Sequence, residues 1–248
     1  MTKRVAFVTG GNGGIGSAIC CELAQQGHRV VAGYFPPEKD LAEAWQKKMH
    51  DQGHAISLAA VDVASFADCE RAVAEISEQF GSVDILVNCA GITRDGTLKK
   101  MSEDNWRAVV ATNLDSAFNV TRHVINGMLE KGWGRIVNIA SVNGQRGQFG
   151  QANYSAAKAG MHGFTMAVAL ETAAKGITVN TVSPGYIATA MTQAMPENVL
   201  ESIVNSVPMR RMGTPEEIAN AVAWLASEGN GYTTGANIPV NGGLFTSH

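Results

Sequence analysis

The chain has 248 residues, 45% of them hydrophobic and 17% charged, with a formal net charge of −3. These figures allow one globular domain with a sizeable core and exclude the broad basic footprint of a nucleic-acid binder. No apolar run approaches the ~20 residues that span a bilayer, and cysteines at positions 20, 21, 69 and 89 lack paired metal-type spacing, so reduced cytoplasmic thiols are expected rather than disulfides or zinc.

Lys3-Arg4 precedes only a short apolar run, which reads as a first buried strand, Arg4–Thr9, rather than a signal peptide. That strand runs into Gly10-Gly11-Asn12-Gly13-Gly14-Ile15-Gly16, with a helix expected from near Ser17. Further strands are predicted at Arg29–Gly33, Ala55–Val61, Ile85–Asn88, Arg135–Ser141, Ile177–Ser183 and Asn237–Val240. The clearest are continuous apolar runs without alternation, as strands covered on both faces require. Between them lie helical patterns. In Phe66–Phe80, Val73, Ile76 and Phe80 step by three and four and Gly81 follows as a stop. Ser102 is placed to cap a helix carrying Trp106, Val109, Val110 and Ala117, and Ala152–Ala174 is Ala-rich and free of Pro. This alternation predicts one α/β domain over residues 1–248. The expected form is a doubly wound Rossmann fold, a parallel seven-stranded sheet with helices on both faces. Residues 186–212, rich in Met, Ala and Thr, form the candidate lid over a site.

A glycine loop between a first strand and a helix lets the backbone approach a pyrophosphate and aim its N–H groups at it. Gly10, Asn12, Gly13, Gly14, Ile15 and Gly16 are therefore candidate dinucleotide contacts; the plain alternative is a tight strand–helix turn. At the end of the second strand stand Tyr34, Phe35, Pro36 and Pro37, with no acid to accept from an adenosine 2′-OH, which leans towards NADP(H). Lys39 is the nearest base, reading equally as a phosphate contact or a solvated helix start.

Tyr154 and Lys158 stand four apart within the Ala-rich helical pattern, so they share one helix face. An ammonium ~5 Å from a phenol, at an effective dielectric of ~20, would favour the phenolate by about 3 kcal/mol, roughly two pKa units. A lowered tyrosine pKa is thus expected, suited to acid–base work. Taken alone, the pair reads as an ordinary helix surface.

With these residues in place the chain resembles the short-chain dehydrogenase/reductase family over essentially its whole length. The glycine loop is similar to the family's TGxxxGIG, Asn88-Cys89-Ala90-Gly91 to its NNAG with Cys for the second Asn, and Pro184-Gly185 with Thr189 to its PG motif and following Thr. Asn113, Ser141, Tyr154 and Lys158 match its catalytic four in order and approximate spacing. The resemblance implies that Tyr154 donates a proton to a substrate oxygen, Ser141 bonds the same oxygen, Lys158 tunes Tyr154 and holds the nicotinamide ribose, and Asn113 orients a water. It further implies cofactor contacts at Asp62, Val63, Asn88, Ala90, Gly91, Ile92, Pro184, Gly185, Ile187 and Thr189. On the residues alone, Asn113 reads as a helix Asn bonded to nearby backbone, and Asp62 as a turn carboxylate.

Within the family, Gly91–Asp95, Gly132–Arg135 and Ser141–Gln151 are similar to members that reduce 3-oxoacyl thioesters for polyhydroxybutyrate synthesis. That likeness implies NADPH-dependent reduction of an acyl-CoA thioester to the (R)-3-hydroxyacyl-CoA by a homotetramer. Carrier-protein thioesters and a non-catalytic dinucleotide sensor are the competing readings. Gln148 and Gln151 offer amide donors to a thioester and Phe149 an apolar wall, against the alternative of a solvated loop. Asp95, Lys100 and Tyr186 are weaker substrate candidates. Arg94, Lys99, Lys100 and Arg146 offer positive charge for a CoA phosphate or an acidic carrier protein, against the alternative of plainly solvated charges. Met191, Met195, Met209 and Met212 suit an adaptable lid or plain packing. The six His form no metal-type motif, so no metal is expected.

Overall fold

The computed structural model describes residues 3–189, 192 and 196–246. Seven strands form one sheet: β1 (Val5–Val8), β2 (Arg29–Tyr34), β3 (Ile56–Ala60), β4 (Ile85–Asn88), β5 (Gly134–Ile139), β6 (Ile177–Pro184) and β7 (Asn237–Val240). Their order is β3-β2-β1-β4-β5-β6-β7 and every pairing is parallel. The helices are α1 (Gly14–Gln25), α2 (Lys39–Asp51), α3 (Phe66–Phe80), α4 (Glu103–Val110), α5 (Ser116–Lys131), α6 (Val142–Arg146), α7 (Ala152–Thr172), α8 (Glu197–Ser206) and α9 (Pro215–Ala226). This is a Rossmann fold.

Both faces of the sheet are covered, and β1 shows how. Ala6 and Val8 pack with Ile19 and Leu23 of α1 and Ile218 and Val222 of α9, whereas Val5 and Phe7 pack with Val73 and Ile76 of α3 and Val120 and Val124 of α5. A strand buried on both faces has no polar side to show, which explains the unbroken apolar runs. Phe7 alone, fully buried, contributes about 1.5–3 kcal/mol.

All seven expected strands are present. α3 runs over the expected Phe66–Phe80, opened by Ser65 accepting from the Asp68 N–H and closed by Gly81 at φ 89°. The first helix departs from expectation: it begins at Gly14, not near Ser17, with Gly13 as its N-cap. Ser17 lies inside it, its N–H already donating to Gly13 O at 2.7 Å, and its hydroxyl accepts from Trp45 Nε1 at 2.8 Å. The long helix ends at Thr172 rather than Ala174, tightening into a 3-10 turn before Gly176 at φ 73°.

β1 sits between β2 and β4, where the winding reverses, so a crevice opens at the carboxyl ends of β1 and β4. Thr9 holds its floor: its Oγ1 accepts from the Cys89 and Ala90 N–H groups at 3.0 and 3.1 Å.

Candidate active site

The Tyr154–Lys158 pair stands on α7. The sequence of α7 builds the pair's position before any ligand is considered. Asn153, fully buried, donates through Nδ2 to the carbonyls of Arg94 and Asn105 at 3.0 and 3.3 Å and accepts the Tyr154 N–H through Oδ1 at 2.8 Å. One amide thus pins the first turn of α7 to the neighbouring loop and to α4. Lys158 Nζ lies 5.7 Å from the Tyr154 ring centroid and donates to Ile139 O, at the end of β5, at 2.7 Å. Burial lowers the Lys158 ammonium from 10.5 to about 8, with a smaller opposing pull from Cys89.

The expected fall in the Tyr154 pKa is not what the structure shows. Burial raises it; a hydrogen bond with Ser141 acts the other way, and Cys89 and Asp95 add to the rise. Desolvation, not the nearby ammonium, is the larger influence on a phenol in this crevice. Ser141 follows β5 and caps α6, its Oγ accepting from the Asn143 N–H at 3.1 Å. With one lone pair so occupied, its proton is free for a neighbouring oxygen.

Asn113 sits in a π-helical turn, Ala111–Asp115, between α4 and α5. Its side chain is fully buried: Oδ1 accepts from Ile92 N–H at 3.0 Å, while Nδ2 donates to Ile92 O at 2.8 Å and Val109 O at 2.9 Å. Both amide protons are therefore committed to backbone, and what the side chain does here is clasp the segment after β4. Asn113→Ala is expected to cost about 3 kcal/mol in urea denaturation, because three backbone groups lose their partner; a change under about 0.5 kcal/mol would contradict that clasp.

The glycine loop fits a dinucleotide pyrophosphate. Gly13 caps α1 without a side-chain bond, so the first N–H groups of a twelve-residue helix face the crevice with its dipole behind them. Gly10 holds φ 62°, and a Cβ on Gly14 would reach Thr189 Cγ2 at 2.9 Å. A Cβ on Gly91 would run into Asn113 Oδ1 and come within 3.6 Å of Lys158 Nζ. Gly10, Asn12, Gly13, Gly14, Ile15 and Gly16 thus form one wall, Ala90, Gly91 and Ile92 the floor, and Thr189 the far edge. Gly185, after β6, donates to Val240 O at 2.9 Å, and Ala188 to Gly213 O at 2.8 Å, so Pro184–Thr189 is anchored on both sides. Ile187 is buried in the core on the α1 side.

The Asn88 side chain is buried, donating to Asn138 Oδ1 at 2.8 Å and Thr121 Oγ1 at 3.3 Å; it ties β4 to β5 and α5. Asp62 Oδ1 accepts from its own Ala64 N–H at 3.0 Å, a turn carboxylate, and Val63 is buried with its carbonyl held by Asn119 Nδ2 at 3.0 Å. Lys39 opens α2, mostly exposed and 3.6 Å from Glu43. Phe35 is half-exposed just past β2.

On the substrate side, Gln148 and Phe149 are exposed, Gln148 accepting from Arg146 at 3.3 Å. Gln151 is engaged at both ends, donating to Asp95 at 2.9 Å and accepting from Asn143 at 3.0 Å. Tyr186 is partly exposed, its carbonyl accepting from Gly213 N–H at 2.9 Å. Within the candidate lid, α8 is described; Met191 and Met195 lie outside the described residues. Sequence reasoning missed Thr9, Asn119, Asn138 and Asn153. Their signal was an uncharged polar residue inside an otherwise apolar or Ala-rich element. Among the described residues no group of three or more His, Cys, Asp or Glu is placed to hold a metal, and no helix is long and apolar enough to cross a membrane. All four cysteines are free thiols.

A family profile described as enoyl-(acyl carrier protein) reductase matches residues 10–245. The chain is 62% identical to an acetoacetyl-CoA reductase of Allochromatium vinosum over 98% of both chains, and 54% identical to one of Cupriavidus necator over 98% of this chain and 99% of that one. It is 44% identical, over 100% of both chains, to a 3-oxoacyl-[acyl-carrier-protein] reductase of Haemophilus influenzae. The chain belongs to the short-chain dehydrogenase/reductase family, whose members use NAD(P).

Proposed function

We propose that the chain is an oxidoreductase that reduces acetoacetyl-CoA to (R)-3-hydroxybutyryl-CoA with NADPH, a monomer for polyhydroxybutyrate synthesis. The observation that carries this reading is the placement of Ser141 and Tyr154 hydroxyls together, above Lys158, at a glycine-walled crevice. The 48–62% identity to acetoacetyl-CoA reductases, against 44–45% to the carrier-protein reductases, favours CoA as the handle.

When bound, the cofactor supplies hydride to the C3 carbonyl carbon. The chain's own residues manage the oxygen. Ser141 donates to it and fixes its place; Tyr154 delivers the proton as the oxygen gains charge; Lys158 keeps a positive charge beneath the pair at neutral pH. Asn113 acts through the backbone it clasps. Two hydroxyls aimed at one oxygen suit carbonyl reduction, in which the protonated atom is bonded to the carbon that takes hydride. Gln148, Phe149, Tyr186 and the 186–212 lid border the acyl thioester, within a single domain spanning residues 1–248.

NADPH is favoured because no acid stands at the end of β2. Phe35→Asp is expected to lower kcat/KM for NADPH at least about tenfold and raise the NADH share, since a carboxylate there repels a 2′-phosphate. An unchanged ratio of the two cofactors would place the 2′-phosphate elsewhere. A homotetramer is part of the proposal: Phe118 and Leu129 of α5 and Met166 and Leu170 of α7 leave apolar surface exposed, with Leu170 at 85%. Light scattering on the purified protein reads this directly.

Steady-state assay of acetoacetyl-CoA, acetoacetyl-carrier protein and crotonyl-CoA, each with NADPH and NADH, tests the function. Preference for acetoacetyl-CoA with NADPH is expected. Preference for the carrier-bound thioester would assign the chain to fatty-acid synthesis, turnover of crotonyl-CoA alone would make it an enoyl reductase, and cofactor binding with no turnover would make it a sensor.

A further inference from the structure

Two loops at the mouth of the site are joined by side chains whose donors and acceptors can run only one way. Asp95 Oδ2 accepts from Gln151 Nε2 at 2.9 Å, Gln151 Oε1 accepts from Asn143 Nδ2 at 3.0 Å, and the Asn143 backbone N–H donates to Ser141 Oγ at 3.1 Å. The backbones beneath are zipped as well: Gly96 N–H donates to Gly150 O at 2.8 Å, and Gly96 and Gln151 form an isolated parallel bridge.

A carboxylate can only accept. It draws the Nε2 end of the Gln151 amide, which turns Oε1 towards Asn143 and obliges Asn143 to offer Nδ2. The consequence is visible at the atom left over, because Asn143 Oδ1 is buried with no hydrogen-bond partner. The orientation is set from the Asp95 end. The tie holds Asn143 to the opposite loop, and Asn143 is the residue whose backbone N–H occupies one lone pair of Ser141 Oγ at 3.1 Å, which leaves the hydroxyl proton for Tyr154.

We infer that Asp95 is a positioning residue for the reduction: through Gln151 and Asn143 it orients the Ser141 hydroxyl that serves the reacting oxygen. The inference rests on the reductase reading, and it gives Asp95 and Gln151 a task other than gripping the thioester. Such a task predicts a loss in turnover with substrate affinity untouched, confined to enzymes that still have the serine hydroxyl.

The experiment is a double-mutant cycle on the full-length protein with NADPH and acetoacetyl-CoA. Asp95 is exposed, so its truncation leaves the core intact. Asp95→Ala is expected to lower kcat about tenfold with KM unchanged, because a misaimed donor loses part of the stabilisation it gives only in the transition state. In a Ser141→Ala background the same change is expected to cost nothing further. A raised KM with unchanged kcat would make Asp95 a substrate contact and overturn the inference. So would a loss of equal size in both backgrounds, or no loss in either. Failure of the reductase reading itself would show separately, as a wild-type protein inactive on acetoacetyl-CoA.

Discussion

Tyr154→Phe is expected to lower kcat for acetoacetyl-CoA about 10³-fold while leaving NADPH affinity essentially unchanged, because the ring keeps its packing and only the proton donor is lost. The magnitude follows from what the hydroxyl does. Ser141 can still donate to the carbonyl oxygen, but its hydroxyl stays far less acidic than a phenol and cannot complete the transfer. Burial holds the Tyr154 proton on at neutral pH, which is the form a reductase needs, and the Ser141 hydrogen bond moderates that rise. Titration of NADPH fluorescence beside steady-state kinetics separates the two effects. A variant with wild-type turnover would remove Tyr154 from the chemistry; one that no longer binds NADPH would make its role structural.

Lys158→Met is expected to abolish most turnover, about 10²-fold or more, and yet to stabilise the fold at pH 7. Lys158 is 3% exposed, and burial lowers its pKa from 10.5 to about 8. Below pH 8 both folded and unfolded chains carry the proton, and the folded one holds it less favourably, at a cost of up to about 3 kcal/mol. Between pH 8 and 10.5 the unfolded chain binds more protons than the folded one, so this contribution improves with rising pH. Removing the amine also orphans Ile139 O, which returns about 1–2 kcal/mol of that gain. The net expectation is a variant about 1–2 kcal/mol more stable at pH 7, the difference shrinking above pH 8 and reversing to about 1–2 kcal/mol less stable towards pH 10.5, where only the lost hydrogen bond remains. Urea denaturation of both proteins across this range checks it. A variant less stable at pH 7 would mean that the hydrogen bond to β5 outweighs the desolvation of the charge.

The sheet was most legible where strands buried on both faces are continuously apolar, as in β1 and in Ile85–Val87 of β4. The stops and starts of α3 and α4 were legible because Ser65, Gly81 and Ser102 act on their own backbone. The start of α1 was not, since Gly13 caps it with no side chain at all. Tyr154, Lys158 and Ser141 came together as their spacing and the family likeness suggested. Their electrostatics did not follow, because desolvation depends on what covers a group and not on its neighbours in the chain. Asn88 illustrates the same limit. Its motif was readable, but only the register of β4 against β5 turns its side chain into the polar seam with Asn138 and Thr121. Gln151 was read as an amide donor for a thioester or part of a solvated loop; only the fold brings Asp95 and Asn143 to its two ends.

Isotope transfer is the most direct test of the chemistry. NADPH deuterated at both C4 positions, incubated with the protein and acetoacetyl-CoA, is expected to yield (R)-3-hydroxybutyryl-CoA carrying one deuterium at C3. An unlabelled product or no product at all would contradict delivery of hydride to a carbonyl whose oxygen is served by Tyr154 and Ser141, and the (S) alcohol would contradict the (R) assignment.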